Sequence, residues 1–187
     1  AAIKVPALFG LDLEQDAAFY LRNFSFFVLP LLTGYFVWKR KLEARTLPWL
    51  AAAFVAAALF ANVYPFASSD PGSATHEPGH TEVLTLLHLP IALWLVVGVA
   101  YAAGRWRDSA ARMDFVRFSG ELFIYYVLIA LGGGVLTAFM MAMFASIGVD
   151  MEFFFARWVL PCGALGAVVI AAWLVEAKQS VIENMAP

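Results

Sequence analysis

Polar residues divide the chain into five long apolar runs. Each run is close to 20 residues or longer, and they cover residues 19–38, 47–66, 83–104, 118–147 and 153–175. An α-helix of roughly 20 apolar residues crosses a bilayer core about 30 Å thick. The pattern therefore predicts an all-α, polytopic transmembrane helical bundle with five spans.

The fourth run is the longest and continues almost without charge over residues 118–149, where Glu121 is its only acid. As one straight helix its 32 residues measure about 48 Å, so the run must tilt, protrude or break. Glycine costs about 1 kcal/mol relative to alanine inside a helix and lets a neighbouring backbone approach closely. We therefore expect a break at Gly132, Gly133 and Gly134, and we expect this run to be the packing spine of the bundle.

The loop charges predict the orientation of the spans. Two loops are rich in basic residues, which are Lys39, Arg40, Lys41 and Arg45 in the first loop and Arg105, Arg107, Arg112 and Arg117 in the third. Residues 67–82 and 148–152 contain no Lys or Arg. Because basic loops stay in the cytoplasm, we expect the N-terminus outside and the C-terminus inside.

This orientation divides the chain into three parts. Residues 1–18 are expected to be an extracytoplasmic segment, residues 19–175 the five-helix domain, and residues 176–187 a cytoplasmic helical tail. The chain starts without Met and ends without an obvious stop signal, so we expect it to be a truncated piece of a longer protein.

Composition supports the membrane assignment. Hydrophobic residues make up 63% of the 187 residues and charged residues only 14%, which a single soluble core does not accommodate. The net charge of −2 does not point to nucleic acid. The expected partners are the lipid bilayer and either the remainder of a longer chain or other membrane subunits.

Polar residues within the predicted spans gather in the outer half of the membrane. They are Arg22, Asn23, Asn62, His88 and Arg157, with Glu82, Asp150 and Glu152 nearby as counter-charges. Polar groups at this depth face the bundle interior or a watery cavity, and they are candidates for ligand binding. The alternative is structural, with snorkelling arginines and hydrogen bonds between helices.

Prolines support a cavity in the same half. Pro30, Pro90 and Pro161 each remove one helical hydrogen bond and leave the carbonyl four residues earlier without its usual donor. Kinked helices line binding sites in many transporters, and they also occur in bundles with no transport role.

The sequence His76-Glu77-Pro78-Gly79-His80 matches H-E-x-x-H, in which two histidines one helical turn apart share a zinc ion. That geometry requires a helix. Proline and glycine at the two variable positions instead predict a turn. A metal site at His76, Glu77 and His80 is therefore kept as a hypothesis beside the interpretation of this segment as a polar extracytoplasmic loop.

On the inner side, Arg117 and Glu121 are four residues apart and share a helix face at the expected membrane boundary. We expect them to form an ion pair that anchors the depth of the helix. A proton-carrying role for Glu121 is the alternative. The chain contains no nucleophile elbow, no phosphate-binding glycine loop and no histidine pair within a span, so we predict no catalytic residue and no cofactor.

Four stretches together resemble the bacterial multi-pass membrane family known as domain of unknown function 4153. They are YLRNFSFFVLPLL at 20–32, LTLLHLPIALWLVVG at 84–98, RMDFVRFSGELFIYYVLIALGGGVLT at 112–137 and WLVEAKQSVIENMAP at 173–187. The resemblance implies a protein of the bacterial inner membrane whose relatives are longer and are sometimes called permease-like, without assigned substrates. It supplies no catalytic residues, and the segment SSDPGSATHEPGH is not part of the family pattern.

Three functions fit these observations. The first is a permease-like or accessory membrane module of unknown substrate. The second is a metal-binding or metal-dependent membrane enzyme that uses the 67–82 loop. The third is a purely structural subunit of a larger membrane complex.

Overall fold

A computed structural model describes residues 17–66 and 78–185, together with Ile3, Val5 and Pro6. The described chain is helical and contains no strand, which confirms the all-α prediction for these residues. The α-helices are α1 (Ala17–Asn23), α2 (Leu29–Lys39), α3 (Leu47–Val63), α4 (His80–Tyr101), α5 (Ser109–Ser146), α6 (Glu152–Phe154) and α7 (Leu160–Met185).

Four helical segments within the described residues are long and apolar enough to cross a membrane. They are Ala44–Val63, His80–Tyr101, Ser109–Ser146 and Glu152–Lys178. Large apolar side chains on them are exposed, and the most apolar stretch of α5 contains no buried residue. Exposure on this scale would be unfavourable in water and suits a lipid environment. The chain is a membrane-embedded protein.

The first predicted span, residues 19–38, is interrupted. Between α1 and α2 lies a 3₁₀ turn at Phe24–Phe27, and Val28 leaves the helical region with a φ of −123°. Pro30 follows in the first turn of α2, where its missing N–H removes no helical bond. The expected kink at Pro30 is therefore the start of a new helix, and neither piece is long enough to cross by itself.

The fourth predicted span is longer than expected and unbroken. Helix α5 contains 38 residues, about 57 Å, and passes through Gly132, Gly133 and Gly134 without interruption. The predicted break at the glycines is wrong. Each glycine costs about 1 kcal/mol, whereas a backbone group without a partner in lipid costs several. Continuing the helix is therefore the more favourable arrangement.

The expected close approach at the glycine triplet also does not occur in the described chain. A Cβ atom built on any of the three glycines meets no atom within 4 Å outside its own helical surroundings. The glycines therefore do not make this part of α5 the packing spine that the sequence suggested.

The chain divides into two compact units, Ala2–Phe115 and Val116–Pro187. In the first unit, α2 packs against α4. Phe36 of α2 is fully buried and meets Tyr101 of α4 edge to face, with ring centres 5.1 Å apart. The Phe115 ring lies 5.7 Å from the Trp94 and Tyr101 rings. An aromatic cluster therefore holds the C-terminal ends of α2 and α4 together.

Gly98 leaves space for the Phe115 ring because it has no side chain. A Cβ atom at position 98 would lie 2.7 Å from Cε1 of Phe115, closer than a van der Waals contact allows. Two further aromatic rings hold the Phe115 ring, so it has little room to move away. A glycine is therefore required here for packing, and not for an unusual backbone angle.

In the second unit, a π-helical turn at Phe155–Val159 connects α6 to α7. Pro161 follows two residues later and lacks the N–H that the Arg157 carbonyl would receive in an α-helix. A π-turn is a common accommodation of such a defect. Helix α7 then continues past residue 175, the end of the predicted span, to Met185.

We expect Gly98→Ala to lower the free energy of unfolding. Overpacking typically costs about 1–3 kcal/mol, and the better helix propensity of alanine returns about 1 kcal/mol of it. Thermal unfolding of the purified protein in detergent measures the change. Gly34→Ala is the matched control, because its Cβ atom meets nothing within 4 Å. Equal stability of the two variants would contradict the role assigned to Gly98.

Candidate intramembrane polar site

An ion pair joins the end of α1 to the start of α4. Arg22 Nε lies 3.3 Å from Oε1 of Glu82 and donates to the Ala18 carbonyl at 3.2 Å. The guanidinium also lies 5.5 Å from the centre of the Phe66 ring. The Glu82 side chain is 2% exposed and the Arg22 side chain 23%, so this carboxylate is held well away from solvent.

Local structure explains where Glu82 sits. Gly79, with extended backbone angles, precedes α4, and Glu82 occupies its first turn. The backbone N–H groups of that turn have no helical acceptor, and the positive end of the helix dipole stabilises a carboxylate there. Arg22 approaches from the last turn of α1. A buried charge is thus compensated by a cation and by a helix terminus.

A reciprocal pair of amides joins α1 to α3. Asn23 Nδ2 donates to Oδ1 of Asn62 at 2.8 Å, and Asn62 Nδ2 donates to Oδ1 of Asn23 at 2.9 Å. Each Nδ2 also donates to the carbonyl four residues earlier, Phe19 or Ala58, at 2.9 Å. Both hydrogens of each amide group therefore have acceptors.

His88 lies further along α4, six residues and about 9 Å beyond Glu82. Its Nδ1 is 2.8 Å from the Leu84 carbonyl. Since a carbonyl only accepts, Nδ1 carries the proton and Nε2 is the acceptor of the neutral ring. The imidazole is exposed and can therefore receive a hydrogen bond from a solute.

His88 also lines an open groove between α3 and α4. The groove has a volume of about 530 Å³ and is mainly apolar, and its lining consists of Phe60, Thr81, Leu84, Thr85, His88, Leu89 and Ala92. The Thr85 hydroxyl donates to the Thr81 carbonyl at 2.8 Å. Few polar groups on a mainly apolar wall are typical of small-molecule sites.

Arg157, the fifth residue of the predicted outer set, belongs to the second unit. It lies in the π-turn with its guanidinium 4.5 Å from the centre of the Phe153 ring. Its neighbours Asp150 and Glu152 shape the preceding turn, where Oδ1 of Asp150 accepts the Glu152 N–H at 2.9 Å. The structure thus brings Arg22, Asn23, Asn62 and Glu82 together in the first unit, with His88 further along α4.

Two of the three residues proposed to bind a metal lie outside the described residues. His76 and Glu77 lie outside the described residues, whereas His80 is the exposed first residue of α4. Within residues 17–66 and 78–185, no group of three or more His, Cys, Asp or Glu side chains is placed to hold a metal ion.

At the predicted inner boundary, Glu121 pairs with Lys178 of α7, Nζ to Oε2, at 3.2 Å. Its cation therefore comes from a distant helix and not from Arg117 on its own helix. Sequence reasoning missed Lys178 because the two residues are 57 positions apart. One signal in the sequence points to Lys178. If consecutive spans are antiparallel, the start of the fourth span and the end of the fifth lie at the same membrane surface.

Comparisons with models of protein families, with curated proteins and with solved structures find no match for this chain. The role of the polar residues is therefore inferred from their own contacts. Those contacts are of two kinds: closed pairs that join helices, and an exposed imidazole beside a groove.

We expect Asn23→Leu and Asn62→Leu each to lower the free energy of unfolding by about 1–2 kcal/mol. Either change removes both hydrogen bonds between the two amides and leaves the remaining amide in an apolar environment. The double variant should lose far less than the sum of the two. Unfolding in mixed detergent micelles gives the four free energies of the cycle. Strict additivity would show that the two amides are not coupled.

Proposed function

We propose that the chain is a permease-like or accessory module of a bacterial inner membrane, without catalytic function, and that it belongs to the family known as domain of unknown function 4153. The supporting observation is the buried Glu82 carboxylate, paired with Arg22, beside an open, His88-lined groove. Intramembrane charges are costly and tend to mark solute or ion pathways. Helices that needed only to pack together would be served by apolar side chains alone.

The groove suits a small, mainly apolar solute. Thr81 and Thr85 border it on either side of Glu82 along α4, and His88 supplies an exposed ring at its wall. Such a solute would find apolar contacts along α3 and α4 and a few hydrogen-bonding groups.

The proposal includes five spans, with the N-terminus outside and the C-terminus inside. The combined length of the interrupted first segment supports this count. Its seven-residue, four-residue and eleven-residue pieces, laid end to end, measure about 35 Å. The distribution of Lys and Arg between the loops supports the orientation.

A structural subunit is the second candidate, and the Asn23–Asn62 pair favours it. All four amide hydrogens of this pair are satisfied within the chain, as in a helix contact that binds no solute. A structural role predicts that variants fail only when the folded protein is lost. A solute pathway predicts failure while the folded protein is present.

The groove can be tested by thiol labelling from outside intact cells. Cys162 is the only cysteine, so Cys162→Ser gives a background without thiols. In it we expect His88→Cys to react with a membrane-impermeant maleimide, because the thiolate forms only where water reaches. Leu87→Cys, at the adjacent exposed position outside the groove lining, should stay unlabelled in lipid. Equal labelling of both, or of neither, would contradict an outward-facing wet groove.

Function can be tested in cells that lack the gene and carry it on a plasmid. We expect His88→Ala to alter the solutes found in the growth medium as the deletion does, while the membrane amount of protein stays normal. Mass spectrometry of the medium measures the solutes. Leu87→Ala serves as the control. Wild-type behaviour of His88→Ala would contradict the proposed site.

A further inference from the structure

Two loops of the first unit meet at the opposite end of its helices from the Arg22–Glu82 pair. Residues 40–46 connect α2 to α3, and residues 102–108 connect α4 to α5. A Cβ atom at Gly104 would lie 3.4 Å from Cδ1 of Leu42 and 3.8 Å from Oγ1 of Thr46. The Arg40 guanidinium lies over the Tyr101 ring at 4.6 Å. The loops therefore form one surface.

Tight turns shape both loops. Lys41 and Ala103 have a φ of 51°, and Gly104 has a φ of 76°. The left-handed region is unusual for residues with a side chain and persists where the surroundings hold it in place. Lys41 therefore lies in a tight turn, and Arg105 directly follows one.

This surface carries a strong excess of positive charge. The two loops, together with Lys39 at the end of α2, contain six exposed cations against two acids. The cations are Lys39, Arg40, Lys41, Arg45, Arg105 and Arg107. Of the acids, Glu43 pairs with Arg45, and Asp108 accepts the Ala110 N–H at 3.0 Å. The two acids therefore offset only part of the basic charge.

Tryptophans place the surface at the depth of lipid headgroups. Trp38 and Trp49 are each 77% exposed and Trp106 is 52% exposed. Exposed indole rings favour the boundary between hydrocarbon and water. An anion that meets the six cations at this depth, beside lipid-facing helices, is most readily supplied by the bilayer itself.

We propose that the two loops bind the phosphate headgroup of an anionic phospholipid, with Lys41 and Arg105 contributing one cation from each loop. The positive charge of the surface favours an anionic ligand. The exposed tryptophans favour a position at the headgroups, where that ligand is a lipid. Basic pockets between transmembrane helices have the chemistry to hold such headgroups. The inference does not depend on the proposed permease role.

Native mass spectrometry of the full chain in detergent tests the inference with phosphatidylglycerol and phosphatidylcholine as probes. We expect tighter binding of phosphatidylglycerol, weakened roughly fivefold by Arg105→Gln and by Lys41→Asn, each of which removes one cation near the headgroups. Asparagine is chosen at position 41 because it tolerates a positive φ. Arg112→Gln is the matched control, since Arg112 is an exposed cation one turn into α5 that bonds Ser109 Oγ at 3.0 Å.

Three results would overturn the inference. They are equal binding of the two lipids, equal weakening by Arg112→Gln and Arg105→Gln, and displacement of the lipid by millimolar glycerol phosphate, which would show a site for soluble phosphate. Thermal unfolding of each variant in parallel shows whether the protein remains folded. Loss of binding at unchanged stability supports the lipid site.

Discussion

Lipid offers no hydrogen bonds, so each polar group placed in it must find its partner within the chain. The Asn23–Asn62 pair meets this condition with four hydrogen bonds, of which two cross between α1 and α3 and one lies within each helix. The same condition explains why α5 passes straight through three glycines, since a break would expose backbone groups. Where the ladder is interrupted, at Phe24–Phe27 and Phe155–Val159, a 3₁₀ or π turn follows and keeps most backbone groups bonded.

Charge is treated differently at the two ends of the first unit. At one end, the Glu82 carboxylate is buried against Arg22 and the start of α4. At the other, six exposed cations lie in the two loops and at the end of α2, beside tryptophans. Burial makes the first arrangement sensitive to the loss of either partner. Exposure makes the second sensitive to salt and to the composition of the surrounding lipid.

The apolar runs predict the helical fold well because the length of a run and its lack of charge are local properties of the sequence. The sequence alone places α3, α4 and α5 within a few residues at most boundaries, apart from the early start of α5 at Ser109. Pairings across helices depend on packing, which is not local. Arg22 and Glu82 were both identifiable from the sequence as opposite charges expected at one membrane depth. Identifying Lys178 as the partner of Glu121 requires knowledge of how α5 and α7 align. The groove was not predictable, because its wall is made mainly of ordinary apolar residues.

The length of α5 has a mechanical consequence. Its apolar part, residues 118–146, contains Glu121 as its only charged residue and measures about 44 Å. Matching this length to a hydrocarbon core of about 30 Å requires a tilt of about 47°, beyond the usual range of 0–40°. A thicker bilayer lets such a helix stand more upright, and a thinner one forces it to lean or protrude. Hydrophobic mismatch therefore requires α5 to lean further, or to protrude further, than any other helix among the described residues.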